Sequence, residues 1–451
     1  LKQSWRPPRS RSGDGDGDGD GGREGIDIEN IMNTKPKDRR WVGREAVVSR
    51  RSFLSRAALG TGGAYVATHA GWRAVAAQTA PDEKLLGEAG VRTAERSKSV
   101  WEPVSDRKIR VGIAGFGVCQ FGAAFGFQDH PNVTVAAVTD LIPERRAGLA
   151  KACRCETTYP SLEAMVEDDS LEAIFVATDA PRHARHCLAA LKRGRHVACA
   201  VPAVFGSLEE AMELYEAVTS SGRTYMLFET SAFHHENYAM RKIYQAGGFG
   251  RMVYSEGEYY HYMAEPIASF EDWRVGLPPQ YYPTHSNAYY NSVTDGSFTE
   301  VSCMGLPSRI PHLQAENNRY GNPYGTEIAL FRTSEGGMAR MAVSWDTPGL
   351  EGEVGRVRGE KGSMTGMNFS GLHRDLPSLD LPPLPPGVAP GGHGGSHGQL
   401  MHEFVLSILQ NRSPRVGGIV QALNLTVSGI VAHQSAMKDG ELLKIPQFAG
   451  R

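Results

Sequence analysis
Two stretches carry residue types suited to chemistry. In "IRVGIAGFGVCQFG" an apolar run from Ile109 ends at Gly115, and Gly117 follows two residues later. A first glycine permits a tight turn after a strand, and a second lets a pyrophosphate approach the backbone. Val118 and Gln120 continue the loop, with Gln120 where a third glycine would stand and Gly122 two residues further on. The helix pattern that follows would aim its N-terminal amides at the phosphates. In "YYPTHSN", Tyr282 and His285 stand close together. Imidazole, with an ordinary pKa of about 6.5, is the usual group for taking a proton from a hydroxyl, and a Tyr–His pair can relay one. His285 fits equally well as a structural residue at the start of a helix beginning near Ser286.

The elements that must hold these residues alternate in type. "VTVAAVTD" at 133–140 is a second strand, ending in Asp140. An acid about 20 residues after the glycine loop suits the ribose hydroxyl pair of a dinucleotide and favours NAD. Arg145 and Arg146 lie close enough in sequence to accept a 2′-phosphate, which keeps NADP open. "LEAIFVATD", "HVACAVP" and "TYMLFETS" read as further strands. "RHARHCLAALKRG", ending at Gly194, and "SLEEAMELYEAVTSSG" read as the helices between them. Alternation of this length implies a doubly wound parallel sheet. After residue 231 the pattern changes. "FGRMVYSEGEYYHYM" reads as a turn and a strand, in which the neighbours Tyr259 and Tyr260 must face opposite sides. His261 fits as a strand histidine facing solvent or a neighbour.

The later chain holds a long proline- and glycine-rich loop, a common form for a lid or binding segment. Ser396 and Gln399 are spaced as a capping box for a helix running to Gln410, with Leu400, Phe404 and Ile408 on its buried face. His393 and His397 sit at its start, and no carboxylate is spaced in the sequence to complete a metal site with them. "IVQALNLTVSGIVAHQSAMKDG" is a second helix, ending at Gly440.

The whole chain has 451 residues, 41% hydrophobic and 22% charged, with 48 Lys and Arg against 50 Asp and Glu. That balance offers no field for nucleic acid or an anionic membrane, and no apolar run in the body of the chain is long enough to span a bilayer. The six cysteines form no Cys-x-x-Cys pair, so neither a zinc cluster nor a disulfide framework is indicated.

The first 76 residues read as a leader. "GDGDGDGDGG" at 13–22 has nothing apolar to bury. Met32 opens a more usual signal segment, so residues 1–31 are expected to precede the true start. A basic region leads to Arg50 and Arg51, then Ser52, Phe53 and Leu54, a weakly apolar stretch, and "AVA" at 74–76. This resembles a twin-arginine signal, which implies export to the periplasm or beyond.

A family resemblance rests on "VATDAPRHARHCLAALKRGRHVACAVPAVFGSLEEAMEL". It resembles the Gfo/Idh/MocA family of sugar and cyclitol oxidoreductases over most of 107–446. Thr178 and His183 stand where that family has Thr-Pro and His on the cofactor side. "RGRHVACAVP" stands where it has "AGKHVLCEKP". Pro202 is kept, while Ala200 and Val201 replace the glutamate and the lysine. That lysine lies between nicotinamide and substrate, and Val201 can do no proton chemistry. The Tyr-Pro-Thr-His block resembles the NAD-dependent glycosidases of the α-N-acetylgalactosaminidase type in the same superfamily. Their upstream Tyr-x-His is matched by Tyr259, Tyr260 and His261, and their late glycine–histidine segment by "GGHGGSH" at 391–397. Those glycosidases keep the glutamate that is Ala200 here.

The resemblance tips His285 to the site, with Tyr282 as its partner and Tyr259 and His261 beside them. It implies an α/β fold: an N-terminal Rossmann sheet at 107–230, and at 231–451 an α+β domain with a mostly antiparallel sheet and C-terminal helices packing back. Residues 77–106 are a linker. Expected partners are NAD, or NADP, and a carbohydrate or cyclitol. No nucleic acid or metal is expected, and an oligomer would form through the open sheet face. Three functions compete: a dehydrogenase, a redox-neutral glycosidase or lyase that borrows NAD, and a non-catalytic carbohydrate binder. The leader reading predicts an exported form beginning near Ala77 on N-terminal sequencing. Arg50→Lys with Arg51→Lys should hold the precursor in the cytoplasm, and unchanged export would refute the signal.

Overall fold
The apolar runs of the first half become short strands, the inner ones buried on both faces as a parallel sheet requires, within a sheet of six. They are β1 (Ile109–Ala114), β2 (Val133–Thr139), β3 (Thr158–Tyr159), β4 (Ala173–Val176), β5 (His196–Cys199) and β6 (Tyr225–Leu227). All pair in parallel, in the order β3-β2-β1-β4-β5-β6. The computed structural model describes the backbone of residues 92–93 and 100–449, which fall in one compact unit, Ala80–Arg451. The leader and the expected cleavage site lie outside the described residues.

Helices α1 (Phe121–Ala124), α2 (Pro143–Cys153), α3 (Leu162–Met165), α4 (His183–Lys192) and α5 (Leu208–Ser221) connect these strands. Helix α5 begins where the Ser207 hydroxyl accepts from the Glu210 amide at 3.1 Å and ends at Gly222, in the left-handed conformation. Helix α1 departs from the expected phosphate-binding helix, for it is a single turn. Gln120 stands in the left-handed region before it and Gly126, at φ 77°, turns the chain away after it. Phe125 and Phe127 then enter the core.

Later chain covers what α1 leaves bare. In α8 (Ser396–Leu409), Leu400, Met401, Phe404 and Val405 share a buried cluster with Ile109, Val111, Phe127, Phe175 and Phe228. The expected capping box is absent. Ser396 already has helical φ and ψ, so its hydroxyl cannot reach forward as a cap, and Gln399 instead donates to the Pro382 carbonyl at 2.7 Å. Helix α9 (Ile419–Ala436) packs against α5 and β6, and its chain turns at Gly440.

The second half contributes α6 (His235–Gln245), α7 (Thr284–Thr294) and a sheet built from β7 (Met252–Tyr260), β8 (Phe298–Pro307), β9 (Tyr324–Thr333), β10 (Met338–Ser344), β11 (Gly352–Gly359), β12 (Gly362–Thr365), β13 (Asn368–Gly371) and β14 (Leu443–Lys444). The order is β13-β12-β11-β7-β10-β9-β8-β14, antiparallel except for the β7–β10 pair. Among the described residues no helix is long and apolar enough to cross a membrane. Gly257 sets how closely α7 presses on β7, since a Cβ there would collide with the Ser286 carbonyl. Gly257→Ala should destabilise the fold by about 1–3 kcal/mol, the usual cost of overpacking. The check is the midpoint of a denaturant melt.

Candidate active site
A cleft opens at the carboxyl ends of β1 and β4, where the strand order reverses and α/β sheets bind ligands. Its mouth included, it encloses about 1210 Å³. Gly115, at φ 99°, lies so close to Ala177 that a Cβ would strike the Ala177 carbonyl. Gly117, at φ 53°, has nothing within 4 Å of its Cβ position. The space that a side chain would fill there suits a dinucleotide phosphate. The role of the third glycine falls to Gly122, whose Cβ would meet the Gly115 carbonyl, and not to position 120. Val118, half-exposed, lines the cleft.

Asp140 lines the cleft and also fixes the loop. Its Oδ2 accepts from the Phe116 amide and its Oδ1 from the Ile142 amide, both at 2.9 Å. A carboxylate oxygen has two acceptor sites, so each keeps one for a ribose hydroxyl. Arg146 donates to the Asp140 carbonyl at 3.0 Å, while Arg145 faces the cleft. The Thr178 hydroxyl pairs with His186 Nδ1 at 2.8 Å. His183 lines the cleft as a buried strut. Its Nδ1 lies 2.7 Å from the Pro202 carbonyl and its Nε2 lies 3.0 Å from the Thr178 carbonyl. Burial disfavours its charged form, but the Cys199 sulfur and the two carbonyls outweigh that and hold it at about 9. Val201 and Pro202, joined by a cis peptide, follow β5, and Val201 forms part of the inner wall.

A strap from the second half covers the cleft with Ala268, Ser269, Phe270, Trp273 and Arg274. Arg182 clamps it, pairing with Glu271 at 2.7 Å and lying 5.0 Å over the Phe270 ring. The Arg274 guanidinium stacks 4.3 Å over Trp273 and 5.9 Å from the Tyr282 ring.

Tyr282 links the cleft to a buried polar cluster. Its ring centroid lies 5.6 Å from that of His285, and burial, with Arg274 opposing, pushes its hydroxyl up to about 12. His285 Nδ1 pairs with Glu229 Oε1 at 2.8 Å and lies 3.6 Å from Glu353 Oε1. Burial opposes its charge, yet the two carboxylates prevail and hold the imidazole at about 9. The three ligand-type atoms lie within 4.8 Å of one another, with the imidazole–carboxylate pair directly joined. Glu229 Oε1 also accepts from the Ser231 amide at 2.9 Å. Ser231 donates its hydroxyl to Glu353, whose Oε2 lies 3.4 Å from His234 Nδ1.

The structure chooses between the neighbouring tyrosines. Tyr259 stands edge-on to His285 at 4.7 Å, whereas Tyr260 lies on the opposite face with Glu258. His261 remains outside the cluster. It is 41% exposed and pairs with Glu351 at 3.3 Å, at the end of β7. Sequence reasoning missed Glu229, Glu353, His234 and Arg274. Glu229 had a signal, an acid at the carboxyl end of the buried run "TYMLFE"; Glu353, in an alternating strand, had none.

The fold and cleft together define an α/β protein with a dinucleotide-binding Rossmann sheet beside a buried polar cluster. Residues 109–229 match the Gfo/Idh/MocA family model, described as oxidoreductase family, NAD-binding Rossmann fold. The chain is 27% identical to glycosyl hydrolase family 109 protein 1 of Bacteroides thetaiotaomicron over 245 residues, 52% of this chain and 49% of that protein. The match thus spans about half the length of that relative. A family 109 protein of Solibacter usitatus is 23% identical over 387 residues, 75% of this chain and 88% of that protein. Levoglucosan dehydrogenase in complex with NADH shares the fold at TM-score 0.61 and 18% identity, covering 76% of this chain and 100% of that one. Scyllo-inositol dehydrogenase of Lactobacillus casei does so at 0.60 and 17%, covering 76% and 99%.

Gly117→Val should fill the phosphate space and yield folded protein without NAD(H). Asp140→Ala removes the acceptors of the loop amides and of the ribose, and should weaken cofactor binding by about 1–3 kcal/mol. Both are read from the NAD(H) released on denaturing a known amount of protein.

Proposed function
We propose that this chain is an NAD-dependent oxidoreductase that acts on a hydroxyl of a sugar or cyclitol and retains its cofactor between turnovers. The observation that carries this is the continuity of the cleft. Its glycine cradle leads past Val201 to Tyr282, whose ring centroid lies 5.6 Å from that of the buried His285 behind it. NAD, when bound, supplies hydride acceptance and return. Gly115, Gly117, Asp140 and Thr178 would hold it, and the strap pinned by Arg182 would keep it. Tyr282 and His285 hydrogen-bond and exchange protons with the reacting hydroxyl, in place of a lysine that position 201 lacks.

A second reading is favoured by the family 109 relatives and the twin-arginine pattern: a redox-neutral glycosidase or lyase. Twin-arginine export carries folded proteins, so the cofactor can travel inside. A dehydrogenase outside the cytoplasm would have no pool in which to exchange NADH, whereas a redox-neutral enzyme restores its own cofactor at each turnover. We place the mature chain in the periplasm or beyond on that ground.

Denaturing the purified mature protein should release close to one NAD(H) per chain, and an empty protein would overturn the reading. His285→Ala should lower turnover of any reacting glycoside or polyol by about 10²–10⁴-fold, the usual contribution of a positioned proton-transfer group, while leaving bound NAD(H) in place. Full activity in that variant would refute the role of His285.

A further inference from the structure
Helix α8 is joined to the first half of the chain by a pair of imidazoles away from the cleft. His130, after the turn Phe127–Asp129, and His402, in the middle of α8, are both buried. His130 Nε2 lies 3.0 Å from His402 Nδ1, with ring centroids 5.3 Å apart. One end of the pair sets the polarity of the whole. The Asn132 amide donates to His130 Nδ1 at 3.1 Å, so that nitrogen presents a lone pair. His130 is therefore neutral, with its proton on Nε2, and donates to His402 Nδ1. His402 is then neutral too, with its proton on Nε2.

This arrangement has no place for a further proton. On His130 Nδ1 it would set two N–H groups against each other, and on His402 Nδ1 it would do the same across the pair. The Asn132 amide cannot step aside. Its side chain donates to the Ser105 carbonyl at 2.6 Å and the Arg107 carbonyl at 2.9 Å, and its carbonyl accepts from Ile109 at the start of β1. Nearby charges are already engaged. Asp129, beside His130 in sequence, pairs with Arg154 at 2.7 Å. Glu403, beside His402, accepts from Arg412 at 3.0 Å. The rest of the seam is apolar, made by Leu400, Met401, Phe404 and Val405. The other imidazole of α8 in this seam is His397, whose Nδ1 lies 3.2 Å from the Ala124 carbonyl.

We propose that the His130–His402 pair is an acid-released latch between α8 and the first sheet: it is closed while both imidazoles are neutral and parts when either takes a proton. Because α8 seals one face of that sheet, the latch ties the seal to pH. The electrostatics agree with the geometry. Burial and then the charge of His402 lower His130 to about 3. Burial lowers His402 to about 4, with Glu403 opposing and Arg412 assisting. Once α8 leaves, both return toward the ordinary value of about 6.5. The closed-state values lie below the open-state ones. Closure is therefore firm above the ordinary imidazole value and weakens as pH falls from there toward about 4. Each proton taken up on opening favours it about tenfold per pH unit, so the pair supplies about 100-fold per unit. His397, lowered to about 4 by burial and then by His393, adds a third proton.

Amide hydrogen exchange on the purified full chain reads the latch directly. After correction for the intrinsic pH dependence of exchange, opening of the α8 amides should rise steeply as pH falls from about 6 to about 4, approaching about 1000-fold per unit. Strands β7 and β10 should keep their protection over that range. His130→Leu with His402→Leu keeps the seam apolar and should reduce the dependence by about 100-fold per unit, to what one proton gives. The wild-type protein offers a second reading. In long-range proton–nitrogen spectra of ¹⁵N-histidine-labelled protein at neutral pH, both residues should show a protonated Nε2 and a bare Nδ1. A nitrogen–nitrogen coupling should join His130 Nε2 to His402 Nδ1, and His130→Gln and His402→Gln assign the signals. A protonated Nδ1 on either residue would overturn the proposal. So would α8 protection that is flat with pH or lost only together with that of β7 and β10, or a double variant with the wild-type dependence.

Discussion

The structure turns on burying two carboxylates at the inner end of the cleft. Glu229 is 1% exposed, and a buried charge persists only with a partner. His285 supplies it. Glu229 follows the last strand of the parallel sheet, His285 lies in the first turn of α7, and Glu353 comes from the second sheet. One ion-paired cluster thus ties three elements together. Removing His285 would leave both carboxylates without their cation in the interior, so the pairing constrains where α7 can lie. Gly257 serves the same end by letting that helix rest directly on β7.

The same pairing shapes the chemistry. A histidine clasped by carboxylates keeps its proton to about 9, so at neutral pH it is a donor. Val201 offers the cleft wall nothing that titrates, and Tyr282 holds its proton still more firmly. Of Val201, Tyr282 and His285, His285 is thus the side chain that gives up a proton most readily, and its protonation state is set by Glu229 and Glu353, neighbours far away in sequence.

Much of the first half was legible in the sequence because its signals are local. Buried strands read as apolar runs, Ser207 and Gly222 bracket a helix, and Gly115 and Gly117 mark a turn after a strand. Two local readings failed for a tertiary reason. The helix after the glycine loop stops after one turn, because Gly126 diverts the chain and α8 takes its place over the sheet. The Ser396–Gln399 spacing imitates a cap, but the helix has already begun at Ser396. In the site, Tyr282 and His285 were visible as a motif, and period-two alternation separated Tyr259 from Tyr260 without saying which faces inward. Glu353 was invisible, since its role depends on a sheet register that brings it to a helix and a strand end far away in the chain.

The cover that α8 gives the first sheet has a consequence for how the chain comes to fold. Phe404 packs at 6.3 Å from Phe127 and 6.0 Å from Phe228. The strands of the cofactor-binding sheet are made well before α8, yet one face of the sheet is closed by that helix. Contacts of such long range form slowly and leave apolar surface bare until they do. The nascent sheet must wait, partly uncovered, for α8, and a product truncated before that helix would expose the apolar face. Completion of the first core is thereby coupled to synthesis of α8, which seals the face behind the dinucleotide cradle.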